Sequence, residues 1–404
     1  SGSAVQFTQE ERDAGIKEGP QNLVWVSRDK WTPGALQRKP LGPGGNPSLQ
    51  VKPKQPSFNS AVEYLKDKYP KPTTKEDTFF GERLPEALRA TQALSKGLTA
   101  SGKISTAGLA KAVQAHVTDI RSFLDNNPDF AAYYANDVAK EVEHLTQAFP
   151  ELRTAANLSL YKVVQGMASG GTELSANIKE SIGAWHKLRG TGKLQGFKLQ
   201  GDPRQHGNKL QNYALINSLL KQGKNAGEIV AWLTEKIPMR ELRYEMGKQF
   251  GRGEVSGKQI REIKDIEENA GGNRNEAPRM FIFGPKLGSY ILNLLGNDAY
   301  HTMDVWETRV ARSYFSELAA EGISTPFMAS QASHKQLAQE WAQETAKELG
   351  LSVSAAQAVR WFYYKRSVKE AGYSTRGLNV GTIAQETEKR IAEFLSSRAG
   401  RATG

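Results

Sequence analysis

Apolar and aromatic side chains recur three and four positions apart over most of this chain. Between Phe79 and about Lys187 the series Leu109, Ala112, Val113, His116, Val117, Ile120, Phe123, Leu124 draws one face of a helix, because a turn of 3.6 residues keeps only that spacing on one side. Asn126-Asn127-Pro128, Pro150 and Gly170-Gly171 interrupt the pattern, since proline lacks the amide donor and glycine resists ordering. The stretch therefore reads as bundle helices. Beyond Gly201 the periodicity predicts helices from Lys209 to Lys221, Ala226 to Glu235, Met239 to Phe250, Ser256 to Asn269, Ser333 to Leu349, Ser354 to Lys369 and Thr382 to Ser397. No period-two alternation of useful length occurs, so the expected fold class is all-α, a multi-helix protein.

The first 57 residues or so depart from this pattern. Turn formers dominate them, with the run Pro40 to Pro47 followed by Pro53 and Pro56, although Trp25 and Trp31 are residues that usually find a surface to dock on. Three parts are expected: an extended Pro/Gly-rich arm over 1–78 with one short helix from Ser60 to Tyr69, an accessory helical domain over 79–190, and a helical domain over 191–404. A chain of 404 residues with 38% hydrophobic content is long enough for more than one core.

Within the last part, Phe281 to Arg309 reads FIFGPKLGSYILNLLGNDAYHTMDVWETR. Gly284, Pro285 and Gly288 bracket Lys286, and the apolar run Tyr290, Ile291, Leu294, Leu295 follows at once, which places the lysine in the first turn of a helix. A helix N-terminus attracts anions, so an amine held there can meet a phosphodiester. Asp304 follows 18 residues later, 304 minus 286, at the head of the next helix.

This stretch resembles the helix-hairpin-helix superfamily of base-excision DNA glycosylases. Phe283-Gly284-Pro285-Lys286-Leu287-Gly288 is similar to the hairpin turn of that family, Met303-Asp304-Val305-Trp306 to its aspartate segment, and Arg309 falls where the family often carries a basic residue. Ile282 stands where the first glycine of the family's turn would be. The segment Ala355 to Arg366 resembles one that follows similar cores in proteins of phages and mobile elements. The resemblance implies that 191–404 is a glycosylase-like domain. Lys286 is then a Schiff-base nucleophile and Asp304 the catalytic carboxylate of a DNA glycosylase with AP-lyase activity, working without a cofactor or a metal. It further implies DNA contacts at Gly284, Pro285, Gly288 and Arg309.

Composition sharpens this reading. The formal net charge is +11 with a pI near 9.5, which favours a polyanionic partner, here DNA. From Trp185 to Lys224 eight lysines and arginines face the single acid Asp202, so Lys193, Lys198 and Lys209 are candidate phosphate contacts; a solvated basic loop is the bland alternative. Zero cysteines exclude disulfides, a thiolate nucleophile, Cys-type zinc sites and the iron–sulfur cluster that some relatives of the family carry. No run of about eighteen apolar residues occurs and no basic-then-hydrophobic leader opens the chain, so no membrane association or secretion is expected. A cytoplasmic, nucleoid-associated location follows, with the N-terminal half open to docking either a protein partner or a substrate.

The residues also admit plainer roles. Asp304 taken alone reads as an N-cap and Lys286 as a phosphate contact. For an extruded base the candidates are Phe283, Tyr300, Trp306 and Trp361, residue types that more often pack in cores. The alternative function is therefore a non-catalytic helix-hairpin-helix DNA-binding module, and a third is a base-modifying, toxin or defence enzyme on the same core.

Overall fold

The structure, a computed structural model, describes residues 16–18, 24–26, 60–70, 78–91, 106–127, 130, 133–249, 255, 257–304, 306–307, 309–311, 313–314, 332–373 and 382–402. The chain divides into two units, Ser1–Pro56 and Ser57–Gly404. In the first, β1 (Ile16–Glu18) pairs antiparallel with β2 (Val24–Val26), Lys17 opposite Trp25. Trp31 and the proline run of the expected arm lie outside the described residues.

The second unit is helical, as the periodicity predicts. Ser60 caps α1 (Ala61–Lys68) by accepting from the Glu63 amide at 3.1 Å, which satisfies one of the orphan donors of the first turn. A short π-helical segment, Phe79–Arg83, runs into α2 (Leu84–Thr91), and α3 (Thr106–Asn126) and α4 (Tyr133–Ala148) follow. Thr154 caps α5 (Ala155–Ala168), and α6 (Leu174–Thr191) ends on Gly192 at φ +68°, a left-handed position open to glycine at no steric cost. Next come α7 (His206–Lys221) and α8 (Ala226–Thr234), the latter opened by a reciprocal Asn225–Glu228 capping box. Then follow β3 (Lys236–Pro238), α9 (Met239–Gln249), α10 (Gly257–Asn269) and β4 (Glu276–Pro278). Last come α11 (Pro285–Leu294), α12 (Ala332–Leu349), α13 (Val353–Glu370) and α14 (Ile383–Ala402).

Two differences from the sequence reading have local causes. Strands β3 and β4 pair antiparallel, with Lys236 opposite Pro278 and Pro238 opposite Glu276; three residues bounded by proline are too short to register as alternation. Helix α1 belongs to the packed unit rather than to an arm, because Ala61 and Leu65 are buried in one of the two main cores.

Those cores interleave along the sequence. One draws on residues from Leu145 to Tyr300 with Ile391, the other on Ala61 to Val117 together with Val310 to Tyr373. The expected divide near residue 190 coincides with no gap in packing: Trp185 and Leu194 share the first core. Among the described residues no helix is long and apolar enough to cross a membrane.

Candidate active site

The turn that carries Lys286 is set by two glycines with different tasks. Gly284 precedes α11 at φ +93°, ψ 163°, which a side chain would strain, and Pro285 takes the first helical position, where its missing amide costs nothing. Gly288 allows close approach. A Cβ there would lie 3.0 Å from the Phe281 Cα and 2.6 Å from its ring, so α11 can rest on the 3-10 segment Arg279–Phe283 only through glycine. Ile282, the departure from the family's turn, is buried in the first core. Lys286 emerges from this turn exposed.

Asp304 heads the next helical stretch, and its Oδ1 accepts from the Glu307 amide at 2.8 Å. The loop before it is held from two sides. Asn293 of α11 donates to the Tyr300 carbonyl at 3.0 Å, while Gln357 of α13 donates to the Thr302 carbonyl at 2.6 Å and accepts from the Thr302 amide at 3.1 Å. A half-buried carboxylate is thus fixed by backbone ties rather than by its own contacts alone.

Lys286 and Asp304 line one pocket of about 320 Å³, together with Trp306, Trp361 and Lys365. One wall comes from α6 and α11 through Leu174, Asn177, Tyr290 and Asn293; the other comes from α13 and the Trp306 stretch, so the pocket sits on the seam between the two cores. The volume is at the small end of ligand sites, suited to a single ring system.

The electrostatics of the pocket are uneven. Burial pushes the Asp304 carboxyl up, the Lys286 ammonium pulls it down and the Glu307 carboxylate pushes it up again, while the Glu307 and Trp306 amides favour the ionised form; the balance lies above the ordinary aspartate range. Glu307 goes the other way. Burial would raise it, but the Arg360 guanidinium at 2.5 Å and His301 at 3.0 Å hold it below the usual carboxylate range. Arg360 is fully buried and lies with its guanidinium carbon 4.6 Å from the Trp341 ring centre. A paired, ionised Glu307 therefore sits three residues beyond an aspartate whose charge is disfavoured.

Four of the expected residues come together here: Lys286, Asp304, Trp306 and Trp361. Arg309 stacks outside the pocket, its guanidinium carbon 5.1 Å from the Trp306 ring centre. Phe283 and Tyr300 do not face the pocket and are corrected to core residues. They are 4% and 3% exposed, and the Tyr300 hydroxyl donates to Glu267 at 2.8 Å. Lys209 is corrected too. It is 1% exposed, and its ammonium donates to Glu180 at 2.9 Å and to the Gln200 carbonyl at 3.0 Å, which leaves it no reach to a phosphate. Lys193 and Lys198 are exposed.

Sequence reasoning missed Lys365. Its ammonium lies 3.2 Å from the Trp361 ring centre and 5.2 Å from that of Trp306, a cation held against two aromatic faces of the pocket. The signal was the i, i+4 spacing of Trp361 and Lys365 on one helix, which puts both on the same side. Among the described residues no group of acidic and histidine side chains is arranged to hold a metal ion. No protein family, characterised protein or solved structure matches this chain.

Proposed function

We propose that the chain is a DNA glycosylase that excises a base and captures the sugar through Lys286. The observation that carries this reading is one pocket, sized for a single base, that brings the Lys286 amine and the Asp304 carboxylate together under two tryptophans. The order Gly284, Lys286, Gly288, Asp304, similar to that of the helix-hairpin-helix glycosylases, supports it.

The proposed chemistry needs only groups in that pocket. The bond from C1′ to the base breaks and its electron pair leaves with the base, which takes up the proton that the Lys286 ammonium gives up as it becomes the free amine. The developing positive charge on the sugar is stabilised by the Asp304 carboxylate. The Lys286 nitrogen donates its lone pair to C1′, and the proton it sheds passes to the carboxylate. Expulsion of the ring oxygen, which takes that proton back from the carboxylate, then gives the protonated imine between nitrogen and C1′. The aromatic faces of Trp306 and Trp361 supply stacking for a base removed from its neighbours, an interaction of about 1–3 kcal/mol.

One observation favours a second reading, a DNA-binding module without catalysis: Asp304 already has work as the cap of the Glu307 amide. Asp304→Asn separates the two, since asparagine caps as well as aspartate but carries no charge. Duplex and single-stranded DNA from several sources would be incubated with each protein and scored for abasic sites. The glycosylase reading requires a rate loss of at least ~10² in the variant with DNA binding retained. Equal rates, or no abasic sites from either protein, would leave Asp304 as a cap only.

A further inference from the structure

Helices α6 and α14 lie side by side, and the same pair lines two hollows in succession. Leu174 and Asn177 of α6 and Ile383 of α14 reach the Asp304 pocket. Farther along both helices, from Lys179 and from Arg390 onward, they wall a second and larger cleft of about 870 Å³. At 1.5 Å of rise per residue the two hollows are separated by roughly 10–15 Å along α6.

The cleft is cationic. Lys179, Lys187, Lys198 and Arg390 line it against one acid, Glu393. Arg390 is neutralised in place, because its Nη1 donates to Glu393 at 2.5 Å and holds that carboxyl below the usual glutamate range. The three lysines remain. Lys179 and Lys187 are eight residues apart on α6, so their Cα atoms are spaced by about 12 Å, and Lys198 enters from the loop that turns at Gly196, φ +70°. Such a row suits successive charges on a chain better than one compact anion.

Two aromatic rings stand among these cations. Phe197 is braced edge-on by Tyr213 at 5.1 Å, and Phe394 edge-on by His186 at 5.1 Å and at a tilt by Phe149 at 6.1 Å. Both are partly buried and line the cleft, so each is held rigid with part of its surface open to a ligand. Several cations spread along a cleft beside fixed aromatic faces are what a single-stranded polynucleotide requires, because any base stacks on a ring while its backbone meets the charges. The volume exceeds what a lone phosphate fills and lies near the top of the range for small ligands.

We infer that this cleft grips a single-stranded stretch of the DNA whose excised base occupies the Asp304 pocket, about four nucleotides away at the 3.4 Å rise of a stacked strand and fewer if the strand is extended. The identity of the polymer rests on the proposed function; the cleft itself rests on its own residues.

The probe is a fluorescent twelve-residue oligothymidylate, titrated by anisotropy across a salt series with the full chain. Wild-type protein should bind it more tightly than a blunt duplex of equal length, with affinity falling as salt rises. Lys179→Ala with Lys198→Ala should weaken binding about tenfold at low salt and flatten the log–log salt slope by about 0.7 for each lost contact; the double arginine variant should restore both. Phe394→Leu, which keeps the apolar bulk, should weaken binding several-fold at unchanged slope, since it removes stacking and no charge. Wild-type affinity and slope in the double alanine variant, absent binding by the wild type, or a preference for the duplex would overturn the inference. Excision is read separately as abasic sites: oligonucleotide binding with no excision would remove the proposed chemistry and keep the cleft, and excision without such binding would do the reverse.

Discussion

The helices that open at His206 and at Pro285 each carry a lysine in their first turn, and the two amines end in opposite surroundings. Lys209 shares a helix face with Tyr213 and Ile216, so it turns inward to Glu180, which also accepts from the Tyr213 hydroxyl at 2.8 Å and the Gln200 amide at 2.7 Å. Lys286 follows the first helical residue, while Gly288, Ile291 and Leu292 turn inward on the buried face, and it is left at a pocket mouth. A count of charges treats these lysines as equals. Their register against the apolar face of the helix separates a structural ion pair from a group that can meet a ligand.

That contrast is largest in stability. Lys209→Ala leaves the Glu180 carboxylate buried without its cation and should cost about 3–5 kcal/mol, because the charge that remains is no longer compensated. Lys198→Ala, at an exposed position, should change stability by less than about 0.5 kcal/mol while reducing the salt dependence of DNA binding. Urea unfolding of the two variants measures the difference. Equal destabilisation would mean that Glu180 finds another partner and that the comparison fails.

A smaller effect separates two carboxyls of the site itself. The folded-state pKa of Asp304 is raised, so whatever stability its protonated form contributes is present below the unfolded value and is lost as pH rises through the folded one. Asp304→Asn should therefore be at least as stable as the wild type at neutral pH, and the gap should close in acid. Glu307 has the opposite sign. Its folded pKa is depressed, so its contribution is complete above the unfolded value and is lost as pH falls through the folded one. Melting temperature against pH for the wild type and the Asn variant tests the first sign, and the excision rate should rise with pH through a value above the ordinary aspartate range. An Asn variant that melts well below the wild type at neutral pH would show that the charge is stabilising.

The helices were legible because their apolar faces repeat over many turns, and the boundary at Gly284-Pro285 because glycine and proline carry local conformational rules. Lys286 and Asp304 could be named because their order and spacing resemble a known motif, and Trp306 and Trp361 because aromatic residue types near the turn and on the C-terminal helix can stack on a base. What could not be read was long-range pairing. Nothing near Tyr300 announces that its hydroxyl meets Glu267, 33 residues away, and nothing near Lys209 names Glu180, 29 residues away. The interleaved cores were hidden for the same reason: periodicity gives the face that a helix buries and is silent on the helix it meets. The contact of Lys365 with the Trp306 ring and the Arg360–Glu307 pair, 53 residues apart, belong to this class of contact.

The proposed chemistry requires the Lys286 amine to reach the sugar carbon. A duplex carrying a preformed abasic site removes the need to know the base, and borohydride fixes any imine between amine and aldehyde. The wild type should give a covalent adduct that peptide mapping assigns to Lys286, and Lys286→Gln should lose it while still binding the duplex. An adduct of equal yield in that variant, or one mapped to Lys365 in the wild type, would place the nucleophile elsewhere and overturn the role proposed for Lys286.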